Sequence, residues 1–308
     1  MTNPYFVITA GVTGAGKTSL IDETVKYLNI TEPYVKILVD DLVENDSRYK
    51  TLINDIIKDV LYECSKTDED ISICEQNTYN NPSDGLYKRF SDAYYSTRNS
   101  TGCNGEPLTC DDLNDVKLID AIKNNNNIVF EMTGSYIPTW VLNPTWIPSH
   151  YIIIMTYSLV SLDNLIKRNK SRAYDTIQSF KRNNALPAPR LPNVSREIIV
   201  KTALQIYDVL LNLYDSCILT HDTEICGERK IDQLLLFDNN EKSFQLKFDS
   251  TIQTLNKEDF NELISQSFGI TSDPSLREGG RRKNKRSTKK RTNKHAKKHS
   301  TKGRRKIA

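Results

Sequence analysis

Short apolar runs recur along the chain, and a polar segment follows most of them. Five of these runs predict strands: residues 5–10, 34–39, 128–130, 150–157 and 230–237. The fourth is almost continuously apolar, which is expected of a strand buried on both faces of a parallel sheet. Because helical patterns lie between the runs, the sequence predicts an α/β fold with a doubly wound parallel sheet.

Apolar positions with helical spacing predict seven helices, at residues 19–27, 48–62, 85–98, 113–122, 162–173, 195–215 and 257–268. Residues 65–83 and 97–110 are polar or contain glycine, so we expect an inserted loop region near residues 65–110. Residues 185–192 predict a Pro-rich turn, and residues 243–248 predict an antiparallel β segment.

A glycine-rich segment joins the first strand to the first helix. Its sequence, GVTGAGKT, fits the pattern G-x-x-x-x-G-K-[ST] of a P-loop without a mismatch. Glycines let backbone N–H groups surround phosphate oxygens, and the following helix adds its partial positive charge. The lysine can reach the β and γ phosphates, and the hydroxyl suits Mg²⁺. The segment therefore predicts a nucleotide phosphate site formed by Gly11, Val12, Thr13, Gly14, Ala15, Gly16, Lys17 and Thr18.

Charge is divided unevenly along the chain. Residues 277–308 hold 16 of the 42 Lys and Arg residues and one of the 39 Asp and Glu residues, so residues 1–276 carry 26 basic and 38 acidic side chains. The basic segment has no aromatic residue and cannot bury enough apolar surface to fold alone. We expect a disordered tail that attracts nucleic acid or another polyanion without reading bases. A nuclear-localisation signal and a merely solubilising tail are the competing interpretations.

The cysteine pattern and the absence of long apolar stretches bear on the compartment. The six cysteines do not have the spacing of paired zinc ligands. The first residues do not show a signal-peptide pattern, and no stretch of about 18 apolar residues is present. We therefore expect a cytoplasmic protein with free thiols and no membrane span, in preference to disulfides or a structural metal.

Two of the predicted strands lead into carboxylates, at the sheet edge where parallel α/β proteins place working residues. Asp40 and Asp41 end the second strand, and one of them can accept a proton from a substrate hydroxyl or cap the next helix. Adjacent side chains point in different directions, so we expect only one to face the cleft. Glu131 and Thr133 follow the third strand and share a face if that strand continues; a strand-ending turn is the alternative.

Basic side chains follow the fourth strand. The helix predicted at residues 162–173 carries Lys167, Arg168, Lys170 and Arg172. Such a run forms either a solvated face or a lid that closes arginines over a transferring phosphoryl group. The Pro-rich turn that follows presents Arg190.

Taken in order, these motifs resemble those of the zeta-toxin family of P-loop kinases, and more loosely those of chloramphenicol phosphotransferases and nucleotide kinases. The resemblance covers roughly residues 5–240. It rests on GVTGAGKT (11–18), VDD (39–41), FSDAYYSTR (90–98), VFEMTG (129–134), IKRNKSRA (166–173), PRLP (189–192) and LFDNN (236–240). The first motif is shared by very many ATPases. The order and spacing of the later motifs are what distinguish the zeta-toxin family from other P-loop proteins.

The resemblance implies roles for individual residues. Lys17 and Thr18 would hold ATP and Mg²⁺, with Thr18 as the metal ligand. Arg168 and Arg190 would reach the phosphates, and Glu131 and Thr133 would position the substrate.

The catalytic base is implied to lie in the pair Asp40 and Asp41. The family usually has Asp-x-Asp at this place, whereas here Leu42 follows two adjacent aspartates; of the two we favour Asp41. The family also tends to have an arginine after its Thr-Gly pair, where this chain has Ser135. This difference affects the prediction of a sugar-nucleotide substrate more than it affects the prediction of kinase chemistry.

The sequence thus predicts a P-loop kinase domain at residues 1–276 and a tail at residues 277–308. Its reaction would transfer the γ-phosphoryl group of ATP to a hydroxyl of a small substrate, and UDP-N-acetylglucosamine is the acceptor of several family members. Two rival functions remain: a nucleic-acid or nucleoside kinase tethered by the tail, and a nucleotide-dependent binding protein without transfer activity.

Overall fold

The structure is a computed structural model that describes residues 3–31, 33–192, 195–220, 222, 229–241 and 243–270. The predictions made for residues 277–308 lie outside these described residues. Within the described ranges, no helix combines the length and apolar character needed to cross a membrane.

A six-stranded sheet forms the centre of the described chain. Its strands are β1 Tyr5–Ala10, β2 Tyr34–Ile37, β3 Asn127–Met132, β4 Ile152–Leu159, β5 Gln233–Asp238 and β6 Gln245–Asp249. They are ordered β2-β3-β1-β4-β5-β6. The first five are parallel, and β6 pairs antiparallel with β5 at the edge. The predicted α/β fold is confirmed, including the antiparallel last segment.

Helices occupy most of the chain between the strands. They are α1 Lys17–Tyr27, α2 Val39–Asn45, α3 Ser47–Cys64, α4 Ile71–Asn80, α5 Asp84–Asn99, α6 Cys110–Lys123, α7 Leu162–Arg182, α8 Arg196–Asn212 and α9 Lys257–Phe268. Helix α7 extends well beyond its predicted end at residue 173, and α8 continues into a π-helical segment, Leu213–Leu219.

Both faces of the sheet are covered. Successive side chains of a strand point to opposite faces of the sheet, so Phe6 and Val7 lie on different sides of β1. Val7 packs with Leu20 and Ile21 of α1, and all three are buried. Phe6 is also fully buried, against the rings of Phe130 and others on the opposite face. Because both faces of the sheet are buried, the strands appear in the sequence as continuous apolar runs.

Within the loop region expected near residues 65–110, residues 71–80 form helix α4, which was not predicted. Helix α5 matches the helix predicted at residues 85–98, and residues 100–109 contain only a short 3-10 turn. Helices α4 and α5 begin with side-chain caps: Asp70 accepts from the backbone N–H groups of Ser72 and Ile73, and Ser83 accepts from that of Leu86. Buried side chains of α2, α3, α4, α5 and α7 form a second core, which includes Ile53, Ile57, Tyr79, Phe90, Tyr94 and Ile177.

Helix α4 was missed because its inward face carries a charged residue. Only Glu75 and Tyr79 of this helix are buried. Both carboxylate oxygens of Glu75 accept hydrogen bonds from Lys181 of α7, at 2.8 and 2.9 Å. A buried ion pair therefore occupies a position where an apolar side chain would have revealed the helical pattern.

The cysteines of the described chain are paired, so the prediction of free thiols is wrong for them. Cys64 bonds to Cys74, and Cys103 bonds to Cys110, with Cα–Cα distances of 5.7 and 5.2 Å. Cys217 is also in a disulfide. The first bond joins the last residue of α3 to the first turn of α4, a contact that depends on how the two helices pack and that spacing alone does not show.

Helices α3 to α6, with the segments that join them, form a helical layer. We expect the two disulfides of this helical layer to stabilise the protein. They close short loops, with sequence separations of 10 and 7 residues, and loops of this length contribute about 2–3 kcal/mol each in the chain-entropy model. Urea unfolding of the oxidised protein should therefore show a higher midpoint than that of the variant Cys64→Ser/Cys74→Ser. Equal midpoints, or complete labelling of the native cysteines by a thiol reagent without reductant, would contradict this account.

Candidate active site

The segment between β1 and α1 is a tight loop that only glycine accommodates at two points. Gly14 and Gly16 have φ values of +88° and +82°, in the left-handed region. A Cβ atom at Gly14 would lie 2.7 Å from Oδ1 of Asn169, and one at Gly16 would lie 2.7 Å from Nδ2 of Asn239. The N–H of Ala15 closes a turn onto the carbonyl of Val12 at 2.9 Å. The loop thus has the compact backbone that surrounds phosphate groups.

Three polar side chains engage carbonyl oxygens of this loop. Ser158 Oγ and Asn239 Nδ2 both donate to the carbonyl of Ala15, at 2.6 and 2.9 Å. Asn169 Nδ2 donates to the carbonyl of Thr13 at 2.9 Å. Carbonyls that are engaged by the protein do not repel an anion bound by the N–H groups of the same loop.

Sequence reasoning did not single out these three residues. Ser158 lies in the last part of β4, and Asn239 follows the last residue of β5. Their position at the carboxyl ends of parallel strands was the available signal. Asn169 lies on the buried face of α7, where its polar side chain interrupts an apolar stripe.

Lys17 and Glu131 form an ion pair in the cleft. Lys17 Nζ lies 3.8 Å from Glu131 Oε1, and the two side chains are only 15 and 14 % exposed. Burial lowers the pKa of Lys17 and raises that of Glu131, and the attraction between the two groups opposes each shift. The second oxygen of Glu131, Oε2, is buried and has no hydrogen-bond partner among the described residues. It is therefore available to a bound group.

Thr133 contributes its backbone to the loop. Its carbonyl accepts from the N–H of Gly11 at 3.2 Å, while its side chain is exposed. Strand β3 ends at Met132, so the condition under which Glu131 and Thr133 would share a face is not met. The chain turns at Gly134, where φ is +79° and a Cβ atom would lie 2.7 Å from both Ala10 and Tyr157.

Asp40 lies at the centre of a charged cluster. Strand β2 ends at Ile37, two residues before its predicted end, and helix α2 begins at Val39, so both aspartates occupy the first turn of this helix. Asp40 Oδ2 lies 2.8 Å from Arg190 Nη2, and Asp40 Oδ1 accepts from the hydroxyl of Tyr94. One turn later, Glu44 Oε1 accepts from Arg190 Nε at 2.7 Å. Asp40 and Glu44 share a face of α2 and hold the guanidinium from two sides.

Asp41 lies in a different environment. Burial raises its pKa, and the basic side chains that oppose this shift are Lys36 first, then Arg190 and Lys117. Asp40 raises the pKa of Glu131 more than Asp41 does. Of the two aspartates, Asp40 is therefore the one more closely coupled to the cleft that holds Glu131.

The predicted arginines lie on two sides of the loop. Arg190 and Arg172 both lower the pKa of Lys17 through their charge, Arg190 more strongly. Arg168 donates from Nη2 to the carbonyl of Asn239 at 2.5 Å, so it contacts the residue that supports the loop carbonyls. The structure thus brings Lys17, Glu131, Asp40 and Arg190 into one electrostatic neighbourhood.

Comparison with known proteins found matches among solved structures and none in sequence. No protein-family model matches the chain, and no curated protein matches it in sequence. Among solved structures, the chain is similar to one from the PezAT chromosomal toxin–antitoxin system of the human pathogen Streptococcus pneumoniae. That match has a TM-score of 0.48 and 11 % identity, and covers 90 % of this chain and 83 % of the other.

We expect Asn169→Ala to weaken nucleotide binding without unfolding the protein. The substitution removes the hydrogen bond to the Thr13 carbonyl, and a neutral hydrogen bond contributes about 0.5–1.5 kcal/mol. Titration calorimetry with Mg-ATP should show a Kd raised roughly 2- to 12-fold. The exposed neighbour Lys170→Ala is the matched control, and an equal effect of both variants would contradict a specific role for Asn169.

Proposed function

We propose that this protein is an ATP-dependent kinase that transfers the γ-phosphoryl group to a hydroxyl of a small substrate. The observation that carries the proposal is the juxtaposition of a complete P-loop, the buried pair Lys17 and Glu131, and the Asp40–Arg190 cluster at the carboxyl edge of one sheet. A phosphate site, an acceptor-side carboxylate and a cationic group for the transferred charge are the parts that phosphoryl transfer requires.

The loop geometry supports ATP and Mg²⁺ as the cofactors. The N–H groups of Gly14 and Gly16 would face the phosphates, whereas those of Gly11 and Ala15 donate to carbonyls within the protein. Lys17 would pair with the phosphate charge in place of Glu131. Thr18 and the unpartnered Glu131 Oε2 are oxygen donors of the type that Mg²⁺ prefers. When bound, the metal neutralises charge on the β and γ phosphates.

We assign the role of base to Asp40 rather than to Asp41. Asp40 is held in the cleft by Arg190 and Tyr94 and is the aspartate that acts more strongly on Glu131. It would accept the proton of the acceptor hydroxyl while Arg190 meets charge on the phosphoryl group.

The remaining predicted residues would support this reaction from either side. Glu131 and Thr133 would orient the acceptor, and Arg168 would act at the nucleotide side through Asn239. The acceptor is proposed to be a sugar nucleotide or a related small alcohol.

The first test removes the P-loop cation. Lys17→Ala should lose nearly all phosphoryl transfer, because Lys17 is the P-loop side chain that meets the β and γ phosphates. Lys26→Ala, an exposed position on the same helix, should keep wild-type turnover. The measurement is ADP formation with Mg-ATP and acceptor, beside circular dichroism of each variant. Wild-type turnover in Lys17→Ala would refute the assignment of the phosphate site.

The second test separates the two aspartates. Asp40→Asn should lower kcat about 10²- to 10⁴-fold while the KM for ATP changes little, because a base contacts the acceptor rather than the nucleotide. Asp41→Asn should keep most activity. The opposite pattern would make Asp41 the base, and full activity in both variants would rule out a base at this position.

Residues 277–308 support a second candidate function. Their 16 basic side chains favour a nonspecific nucleic-acid or other polyanion partner, so a nucleic-acid or nucleoside kinase tethered by the tail is the alternative. In that case an oligonucleotide with a terminal hydroxyl should outcompete small acceptors. A non-catalytic ATP-dependent binding protein would instead show ATP binding without any acceptor-dependent ADP release.

The disulfides bear on the compartment in which the reaction would run. A cytoplasmic location and free thiols were expected together, because the sequence shows neither a signal-peptide pattern nor paired zinc-ligand spacing, and the expectation of free thiols is wrong for the described cysteines. Disulfides persist mainly in oxidising surroundings. We therefore favour an oxidising compartment over a reducing cytosol, and a nuclear location rests on the composition of the tail alone.

A further inference from the structure

The helical layer contributes one side chain directly to the charged cluster. We propose that Tyr94 of α5 is a positioning residue that fixes the carboxylate of Asp40 with its hydroxyl and supports the guanidinium of Arg190 with its ring. The inference rests on the proposed function, because it concerns the same site. It adds that the site is incomplete without the helical layer that lies between β2 and β3 in the chain.

The hydroxyl of Tyr94 and the guanidinium of Arg190 take different oxygens of the same carboxylate. Tyr94 donates to Asp40 Oδ1, and Arg190 Nη2 lies 2.8 Å from Asp40 Oδ2. With one partner on each oxygen, rotation of the carboxyl group would break both contacts. The orientation of Asp40 toward an acceptor is therefore set from two sides.

The ring of Tyr94 contacts Arg190 as well. The guanidinium carbon lies 5.3 Å from the ring centroid, within the range of a cation–π interaction. Tyr49 packs edge-on against Tyr94 at 6.2 Å and donates its hydroxyl to the carbonyl of Pro189 at 3.1 Å. The two tyrosines thereby hold both the side chain of Arg190 and the backbone next to it.

Tyr94 is in the right protonation state to donate. It is 7 % exposed, and burial together with the nearby Asp40 carboxylate raises its pKa above the ordinary value for tyrosine. The hydroxyl therefore keeps its proton over the neutral pH range. One turn further along the same face of α5, Arg98 is held by two hydrogen bonds from Nε and one from Nη2 to Asp111 of α6, and its charge, like that of Arg190, opposes the rise in the pKa of Tyr94.

A purely structural role would need only the ring. Tyr94 belongs to the second core and contacts Tyr49 and Tyr95, and phenylalanine would fill the same space. The two roles differ in whether they need the hydroxyl. A residue that only fills the core does not need it, whereas a residue that positions Asp40 does.

The variant Tyr94→Phe separates these roles. It keeps the ring beneath Arg190 and removes the hydrogen bond to Asp40. We expect kcat with a hydroxyl acceptor to fall about 10- to 100-fold, as for loss of a hydrogen bond to a charged group, while the KM for ATP and the thermal midpoint stay near wild type. The matched control is Tyr95→Phe, whose side chain is 54 % exposed on the same helix and should retain wild-type kinetics.

Two further variants complete the experiment. In the Asp40→Asn background, Tyr94→Phe should add little to the defect, because the group that it positions is already gone. Tyr94→Leu, which also removes the ring, should raise the KM for ATP in addition, through loss of the support for Arg190. If Tyr94→Leu does not fold, Tyr94→Phe and its double variant still decide the question.

The outcomes distinguish this inference from the proposed function. Unchanged kcat in Tyr94→Phe, with loss of activity in Asp40→Asn, would overturn the role of Tyr94 and leave the kinase assignment intact. Equal defects of Tyr94→Phe in the wild-type and Asp40→Asn backgrounds would also overturn it. Absence of acceptor-dependent turnover in the wild-type protein would instead overturn the proposed function, and the role of Tyr94 with it.

Discussion

The arrangement of this site depends on one partly exposed arginine held between two carboxylates. Arg190 pairs with Asp40 at 2.8 Å and with Glu44 at 2.7 Å. Burial alone would lower the pKa of Arg190, but the two carboxylates raise it, so the guanidinium stays charged. Both carboxylates contact the same guanidinium, and Tyr94 of α5 contacts the carboxylate of Asp40, so α2, α5 and the Pro-rich turn meet here. Three segments far apart in sequence thereby share one site.

The phosphate loop depends on a second set of contacts that reach it from outside. Ser158, Asn169 and Asn239 come from β4, α7 and the segment after β5, and each donates to a loop carbonyl. Helix α7 therefore joins two parts of the protein. Near its start it contacts the loop through Asn169, and near its end Lys181 pairs with Glu75 of α4. One helix thus contacts both the helical layer and the phosphate loop.

The sequence predicted those elements whose residue pattern is unbroken along the chain. The P-loop motif, the buried strands and the last helix each follow from a local pattern, and all lie where they were expected. Helix α4 was missed because Glu75, a charged residue, faces inward and is neutralised by a partner more than a hundred residues away. The disulfides were missed for a similar reason, since Cys64 and Cys74 meet only after two helices pack.

The site was predicted in part. Placing carboxylates at strand ends led to the pair Asp40 and Asp41 and to the expectation that only one faces the cleft, but the pattern did not show that a helix begins at Val39. Tyr94 had no local signal as a site residue, because it has the spacing and burial of a core tyrosine. Its partner Asp40 lies on another helix, and only the tertiary structure brings the two together.

The central claim is that this cleft transfers a phosphoryl group to a hydroxyl. The most direct measurement incubates the wild-type protein with γ-labelled Mg-ATP and a panel of sugar nucleotides, nucleosides and an oligonucleotide with a terminal hydroxyl, and follows both ADP and the label. The account predicts ADP formation that depends on one acceptor class, with label recovered in a phosphorylated small alcohol. Label found only as inorganic phosphate, or no ADP with any acceptor, would contradict it.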